Sequence, residues 1–281
     1  MAAITNSAPI QLTLSEIKEQ NGDFKGKFNQ ALKDGFFFVE IPEHINKWLG
    51  EAKSFGNSLR TNQVLKELKL GERIGYQERF GTQAVSFVAK KHQWEQVYPK
   101  AIVELAQAMD ALAIEILKTA LSHCGVSKDL WSEATGKLTE DKGCNVFSFN
   151  HYKPGSEKMG LIPHKDMGWI TVLFIDKAGL EFSKDLKTWT GIFPKEGYFV
   201  INFGRAFELL INSVDKLRAS VHQVHKLNEE RLSFGVFINH NEGTQIYQLN
   251  SEGKLEALCS YQDYENKCFS EFLVLQKELQ G

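Results

Sequence analysis

PHKDMGWITVLF, residues 163–174, opens on charged and polar groups and closes as an apolar run that reads as a strand. In extended backbone, side chains two apart project to the same face. His164 and Asp166 therefore point together, with Lys165 turned away. An imidazole and a carboxylate so placed either hydrogen-bond to each other or share a metal ion. With eight histidines in the chain, a chance surface ion pair is the ordinary alternative.

The surroundings of this stretch are β-rich. From residue 140 onward the sequence breaks into short apolar or alternating runs over 145–152, 169–175, 188–192, 198–202, 220–224 and 231–238, separated by Gly, Pro, Asn and Asp. Strands at that spacing suggest a sandwich or jelly roll. Before residue 140 the pattern is mainly helical. Over 98–123, Ile102, Leu105, Met109, Leu112, Ile116 and Ala120 recur on one helix face, and Gly125 supplies a stop. An aromatic strand is expected at 35–41, and helix-like spacing returns at 261–279. The expected fold is a mostly β core with a helical layer (α+β) in one compact unit.

Bulk properties narrow the function. A formal net charge of −2 argues against a dedicated nucleic-acid binder, which needs a basic face. No apolar run approaches bilayer-spanning length, and the opening residues lack the pattern of a secretory signal. Cys124, Cys144, Cys259 and Cys268 are scattered and form no C-x-x-C pair, which reads as reduced thiols in a cytoplasmic protein.

A metal at His164 and Asp166 needs a further ligand, and His222, His225 and His240 lie downstream. His222 and His225 are separated by an odd number of residues, so a regular strand turns them to opposite faces and only one can join the site. In RLSFGVF, Arg231 and Ser233 share a face. A guanidinium beside a hydroxyl, aimed inward, suits a bidentate carboxylate receptor or an internal salt bridge. In FNHYKPG, Asn150 and Tyr152 share a face before a Pro-Gly turn.

In order along the chain, Asn-x-Tyr, His-x-Asp, a later histidine and Arg-x-Ser resemble the iron(II)- and 2-oxoglutarate-dependent oxygenases, in the branch that includes isopenicillin N synthase and the plant flavonoid and hormone dioxygenases. GFFFVEIPEHI at 35–45, VINFG at 200–204 and LLINS at 209–213 are similar to family segments, and GYQERF at 75–80 more loosely so. Arg205 departs from the acidic residue usual after that glycine.

The resemblance implies a double-stranded β-helix at 141–245, with a mainly helical N-terminal region at 1–140 packed on it and a helical segment at 246–281. It implies Fe(II) on His164, Asp166 and His222, and 2-oxoglutarate with its distal carboxylate on Arg231 and Ser233, bonded also by Tyr152 with help from Asn150. O2 is then the second cosubstrate and ascorbate a useful reductant. The implied reaction oxidises a C–H bond of a small molecule, by hydroxylation, desaturation or cyclisation, and releases succinate and CO2. No membrane or nucleic-acid partner is expected. An oxidase of the isopenicillin N synthase type, without 2-oxoglutarate, and a non-catalytic binding module on the same scaffold are the alternatives.

Overall fold

The computed structural model describes residues 9–278 apart from 69, 72, 80 and 214. The opening segment read for a secretory signal falls largely outside these residues. The N-terminal part contributes more than helices. It supplies β1 (Gln11–Leu12), β2 (Phe36–Glu40), β3 (Gly75–Glu78) and β4 (Ala84–Lys90). The sequence pattern indicated β2 alone, because β4 is buried on both faces and lacks the alternation that marks a half-buried strand.

The remaining strands are β5 (Val146–Tyr152), β6 (Leu161–His164), β7 (Ile170–Ile175), β8 (Leu180–Ser183), β9 (Thr190–Ile192), β10 (Tyr198–Phe203), β11 (Val221–Val224), β12 (Arg231–Ile238), β13 (Gln245–Leu249) and β14 (Leu255–Ser260). A major sheet runs β1-β2-β10-β7-β12-β5-β4-β3, and a minor sheet runs β6-β11-β8-β9. Together they make the jelly roll that the strand spacing suggested. Strands β13 and β14 form a separate hairpin. The short strands β6 and β8 were not expected from sequence. Pro163 sits in β6, at the edge of its sheet, where a missing N–H is tolerated.

The outer face of the major sheet is closed by the helices Glu43–Ser58 and Lys100–His123. Phe147, Phe149 and Phe234 pack there as tilted and edge-on rings 5.3–6.2 Å apart. The helix at 100–123 buries the face anticipated from its spacing, including Ile102, Met109 and Ile116. Between the two sheets, Phe36, Phe38, Ile175, Phe182 and Val200 fill one end with apolar packing. Beside this packing lies the cavity, with Phe182 and Val200 in its wall together with polar side chains.

Candidate active site

Register in the minor sheet brings the two histidines together. Strands β6 and β11 run antiparallel with His164 opposite His222, so both side chains occupy one face and their rings lie 4.3 Å apart. Each ring turns Nδ1 to a backbone carbonyl, His164 to Ile162 at 2.8 Å and His222 to Ser220 at 3.5 Å. That leaves both Nε2 atoms facing Asp166 Oδ1, at 3.9 Å from His164 and 3.6 Å from His222. The three donor atoms lie within 4.8 Å of one another.

Asp166 is oriented by the major sheet. Its Oδ2 accepts from Thr171 Oγ1 of β7 at 2.6 Å and from Asn202 Nδ2 of β10 at 2.7 Å. Oδ1 is thereby left toward the imidazoles. Burial favours the neutral acid, but His222, His164 and the two hydrogen bonds outweigh it and hold the carboxyl below its ordinary range. Burial, followed by the neighbouring His222, pushes the His164 pKa down to about 4, so this ring is neutral at physiological pH. Two imidazoles with carbonyl-bonded Nδ1 atoms, and one carboxylate with a free oxygen, fit a divalent iron with open positions.

The loop carrying Asp166 is clasped from below. Backbone N–H groups of Gly204, Arg205 and Ala206 bond the carbonyls of Trp169, Asp166 and Met167, respectively. A Cβ on Gly204 would lie 2.1 Å from the Gly168 carbonyl oxygen, so only glycine permits this approach. Gly204→Ala is expected to cost about 1–3 kcal/mol of stability and to weaken metal binding, measurable by thermal melting and metal titration. An unchanged metal affinity would show that this clasp does not set the ligand geometry.

Arg205 does not face the cavity. It pairs with Glu271 of the C-terminal helix Tyr261–Glu278, whose Tyr264 hydroxyl also bonds Met167 O at 2.7 Å. The same helix sets Phe272 edge-on to His164, with ring centroids 5.8 Å apart.

On β12 and its neighbour β5, Arg231 stands opposite Tyr152, and Ser233 opposite Asn150. All four line the cavity together with His164, Asp166 and His222. Arg231 is 1% exposed, lies 4.9 Å over the Tyr152 ring and donates through Nε to Lys177 O. Both Nη atoms are buried without a partner. Among the described residues no carboxylate forms an ion pair with it, so the internal salt bridge weighed from sequence is not formed. A buried guanidinium with a free fork is costly unless a ligand carboxylate completes it. This is the structural feature that fits the distal carboxylate of 2-oxoglutarate.

The other two candidate histidines stand apart. His225 lies past the end of β11, half-exposed, with Nδ1 3.3 Å from Glu181. His225→Ala should cost less than about 0.5 kcal/mol and leave metal stoichiometry intact, whereas His222→Ala should lose the metal. Equal metal loss from both variants would contradict the strand register. His240 is buried between Trp169, whose Nε1 donates to its Nδ1 at 3.1 Å, and the stacked Tyr261 ring. Burial pushes its pKa down to about 3. It is a core residue.

Thr171 and Asn202 were not singled out from sequence, although both sit at alternate positions of strands that were. A wider cleft of about 750 Å³ on the helical side has Asp110 and Lys91 in its wall, which pair with each other. It gathers no set of donors comparable with the triad.

Residues 143–240 match the family model described as the 2OG-Fe(II) oxygenase superfamily. Among curated proteins, scopoletin 8-hydroxylase of Arabidopsis thaliana is 26% identical over 233 residues, covering 75% of this chain and 64% of its own length. Gibberellin 20 oxidase 3 of the same plant is 29% identical over 218 residues, covering 73% and 55%. Gibberellin 3-beta-dioxygenase 1 of Pisum sativum is 28% identical over 150 residues, covering 51% and 39%. The chain thus spans less than two thirds of these relatives' lengths. Among solved structures, JOX2 in complex with 2OG, Fe and JA superposes with a TM-score of 0.77 at 18% identity, covering 95% of this chain and 86% of that one. The dioxygenase for auxin oxidation of rice gives 0.73 at 16% identity, covering 94% and 96%. Both share the jelly-roll architecture. The family match spans His164 through Ser233, so the segment that carries the candidate site is similar to the 2OG-Fe(II) oxygenase superfamily.

Proposed function

We propose that the protein is an iron(II)- and 2-oxoglutarate-dependent oxygenase that oxidises a C–H bond of a small organic molecule and releases succinate and CO2. The observation that carries this reading is the buried, unpaired fork of Arg231 in the same cavity as His164, Asp166 and His222. In this reading His164, Asp166 and His222 hold Fe(II) on one face. The bound ion supplies the centre at which O2 and 2-oxoglutarate react. Arg231 takes the distal carboxylate in a two-point bond, Ser233 adds a hydroxyl beside it, and Tyr152 with Asn150 completes the cosubstrate wall. The narrow, largely apolar surround, with Leu173, Leu180 and Phe182, excludes water from the reacting groups.

Relatives named for gibberellins and scopoletin, and a structural neighbour holding JA, support a small-molecule substrate. No helix among the described residues is long and apolar enough to cross a membrane. We place the enzyme in the cytoplasm, without a nucleic-acid partner. The free Arg231 fork favours a 2-oxoglutarate enzyme over an oxidase that dispenses with the cosubstrate.

Anaerobic addition of Fe(II) and 2-oxoglutarate should give a weak visible charge-transfer band. A substrate screen with Fe(II), ascorbate and 2-oxoglutarate should then reveal succinate release coupled to oxidation. A folded, metal-loaded protein with no band would overturn the cosubstrate assignment.

A further inference from the structure

From the cavity-lining residues Asn150 and Tyr152 the sheet continues onto β4 and β3, beside the cavity itself. Strand β4 places Ala84 beside Tyr152 and Ser86 beside Asn150, and β3 places Gln77 beside Ser86. Directly opposed residues of antiparallel strands present their side chains to one face. Gln77, Ser86, Asn150 and Ser233 therefore form a polar row across four strands. Arg79 extends the ladder by one step, its N–H bonded to Ala84 O at 3.1 Å. Its side chain turns to the same face, where Nε donates to Ser86 Oγ at 3.0 Å and that hydroxyl donates to Asn150 Oδ1 at 2.6 Å.

Among the described residues no acid lies within ion-pair distance of Arg79, although a guanidinium carries five donors and Ser86 takes one. The surrounding protein desolvates this second guanidinium, which lowers its pKa, and its charge acts on both Tyr152 and His164. Two residues away on the same face, Gln77 Nε2 is buried without a partner. The unmet donor of Gln77, beside a cation with no acid partner among the described residues, calls for an acceptor absent from the chain itself. Across the mouth, Phe272 supplies an apolar wall at His164, and Arg73 over the Phe269 ring at 3.6 Å ties the approach to β3 to the same C-terminal helix.

We infer that Arg79, assisted by Gln77, binds a carboxylate of the prime substrate and orients its apolar body between Phe272 and the metal site. The inference rests on the oxygenase reading and names the substrate class of that site: a small organic acid with an apolar frame. It assigns the two cations separate tasks, Arg231 for the cosubstrate and Arg79 for the substrate.

The test uses the full chain, loaded anaerobically with Fe(II) and saturating 2-oxoglutarate. Phenylacetate, indole-3-carboxylate and cyclohexanecarboxylate are titrated calorimetrically beside their methyl esters. At least one acid is expected to bind more tightly than about 1 mM, and its ester about tenfold more weakly. Arg79→Met should remove that difference while the charge-transfer band keeps its 2-oxoglutarate dependence. Gln77→Leu, a milder change that spares the cation, should weaken acids about threefold and esters not at all. Acids and esters binding alike, no acid binding below about 1 mM, or full acid affinity in Arg79→Met would each overturn the inference. Loss of the band in Arg79→Met would overturn it too, by placing Arg79 in the cosubstrate site. If the wild type gave no band, the oxygenase reading would fail on its own, and the acid–ester comparison on metal-loaded protein would still decide the role of Arg79.

Discussion

Asp166→Ala is expected to reduce succinate release to background while the chain stays folded. The side chain has two oxygens with separate duties. Oδ1 faces the two Nε2 atoms, and Oδ2 is held by Thr171 and Asn202. Alanine removes the sole anionic ligand in the set, leaving two imidazoles that bind a hard divalent ion weakly. It also leaves one hydroxyl and one amide donor buried without an acceptor, a cost of about 1–3 kcal/mol. The protein should therefore melt earlier yet cooperatively. Metal stoichiometry, a thermal melt and a succinate assay on the same preparation separate these effects. Asp166→Asn, which keeps the shape, is expected to lose activity as well with a smaller drop in melting temperature. Wild-type turnover in the alanine variant would sink the triad assignment.

Arg231→Lys should raise the 2-oxoglutarate requirement roughly thirtyfold. Lysine keeps the charge and loses the planar pair of donors that Nη1 and Nη2 present. Damaging one partner of a buried charge pair costs on the order of 2–5 kcal/mol. Because the charge survives, the lower end applies, and at about 1.4 kcal/mol per tenfold this gives the stated factor. Metal affinity should be unchanged, since Arg231 is no ligand. A variant that lost metal or unfolded, yet kept wild-type cosubstrate dependence in its active fraction, would identify Arg231 as a structural residue instead.

The same-face pairs of the site were legible in the sequence because a strand repeats every two residues. Arg231 with Ser233, and Asn150 with Tyr152, could each be paired by counting; His164 ends β6 and Asp166 lies in the loop after it, so their meeting depends on that loop and not on strand parity. His225 does stand apart from His222 as expected, but because it lies past the end of β11 beside Glu181 and not through strand parity. Which pairs meet is a property of strand register, set by contacts far apart in the chain. Nothing local tells that His164 stands opposite His222, or that Arg231 stands opposite Tyr152. The resemblance to a family supplied that link.

Thr171 and Asn202 were hidden for another reason. A single polar residue in an apolar strand is common, and its purpose appears only when its partner is known. Arg79 and Gln77 fell in a short segment with weak periodicity, and β4, which gives them their face, is buried on both sides. In the fold, the helical layer and most strands were readable, even the short β9 and β11, whereas β6, with Pro163 and His164, and β8, with Glu181 and Ser183, carry too little apolar pattern to show.

The division of the triad between sheets has a consequence for the life of the protein. Both histidines belong to the minor sheet, and Asp166 is fastened to β7 and β10 of the major sheet. An ion held by all three is a rivet through the open end of the roll. At a hundredfold excess over its dissociation constant, such a ligand stabilises the native state by about 2.7 kcal/mol, on the order of 5 °C in melting temperature. Stripping the metal with a chelator should loosen this end first, and limited proteolysis should cut near the Asp166 loop sooner than at the helical face. Iron supply would then govern abundance as well as activity, since a cell short of the metal would hold a version of this protein that its proteases clear more quickly.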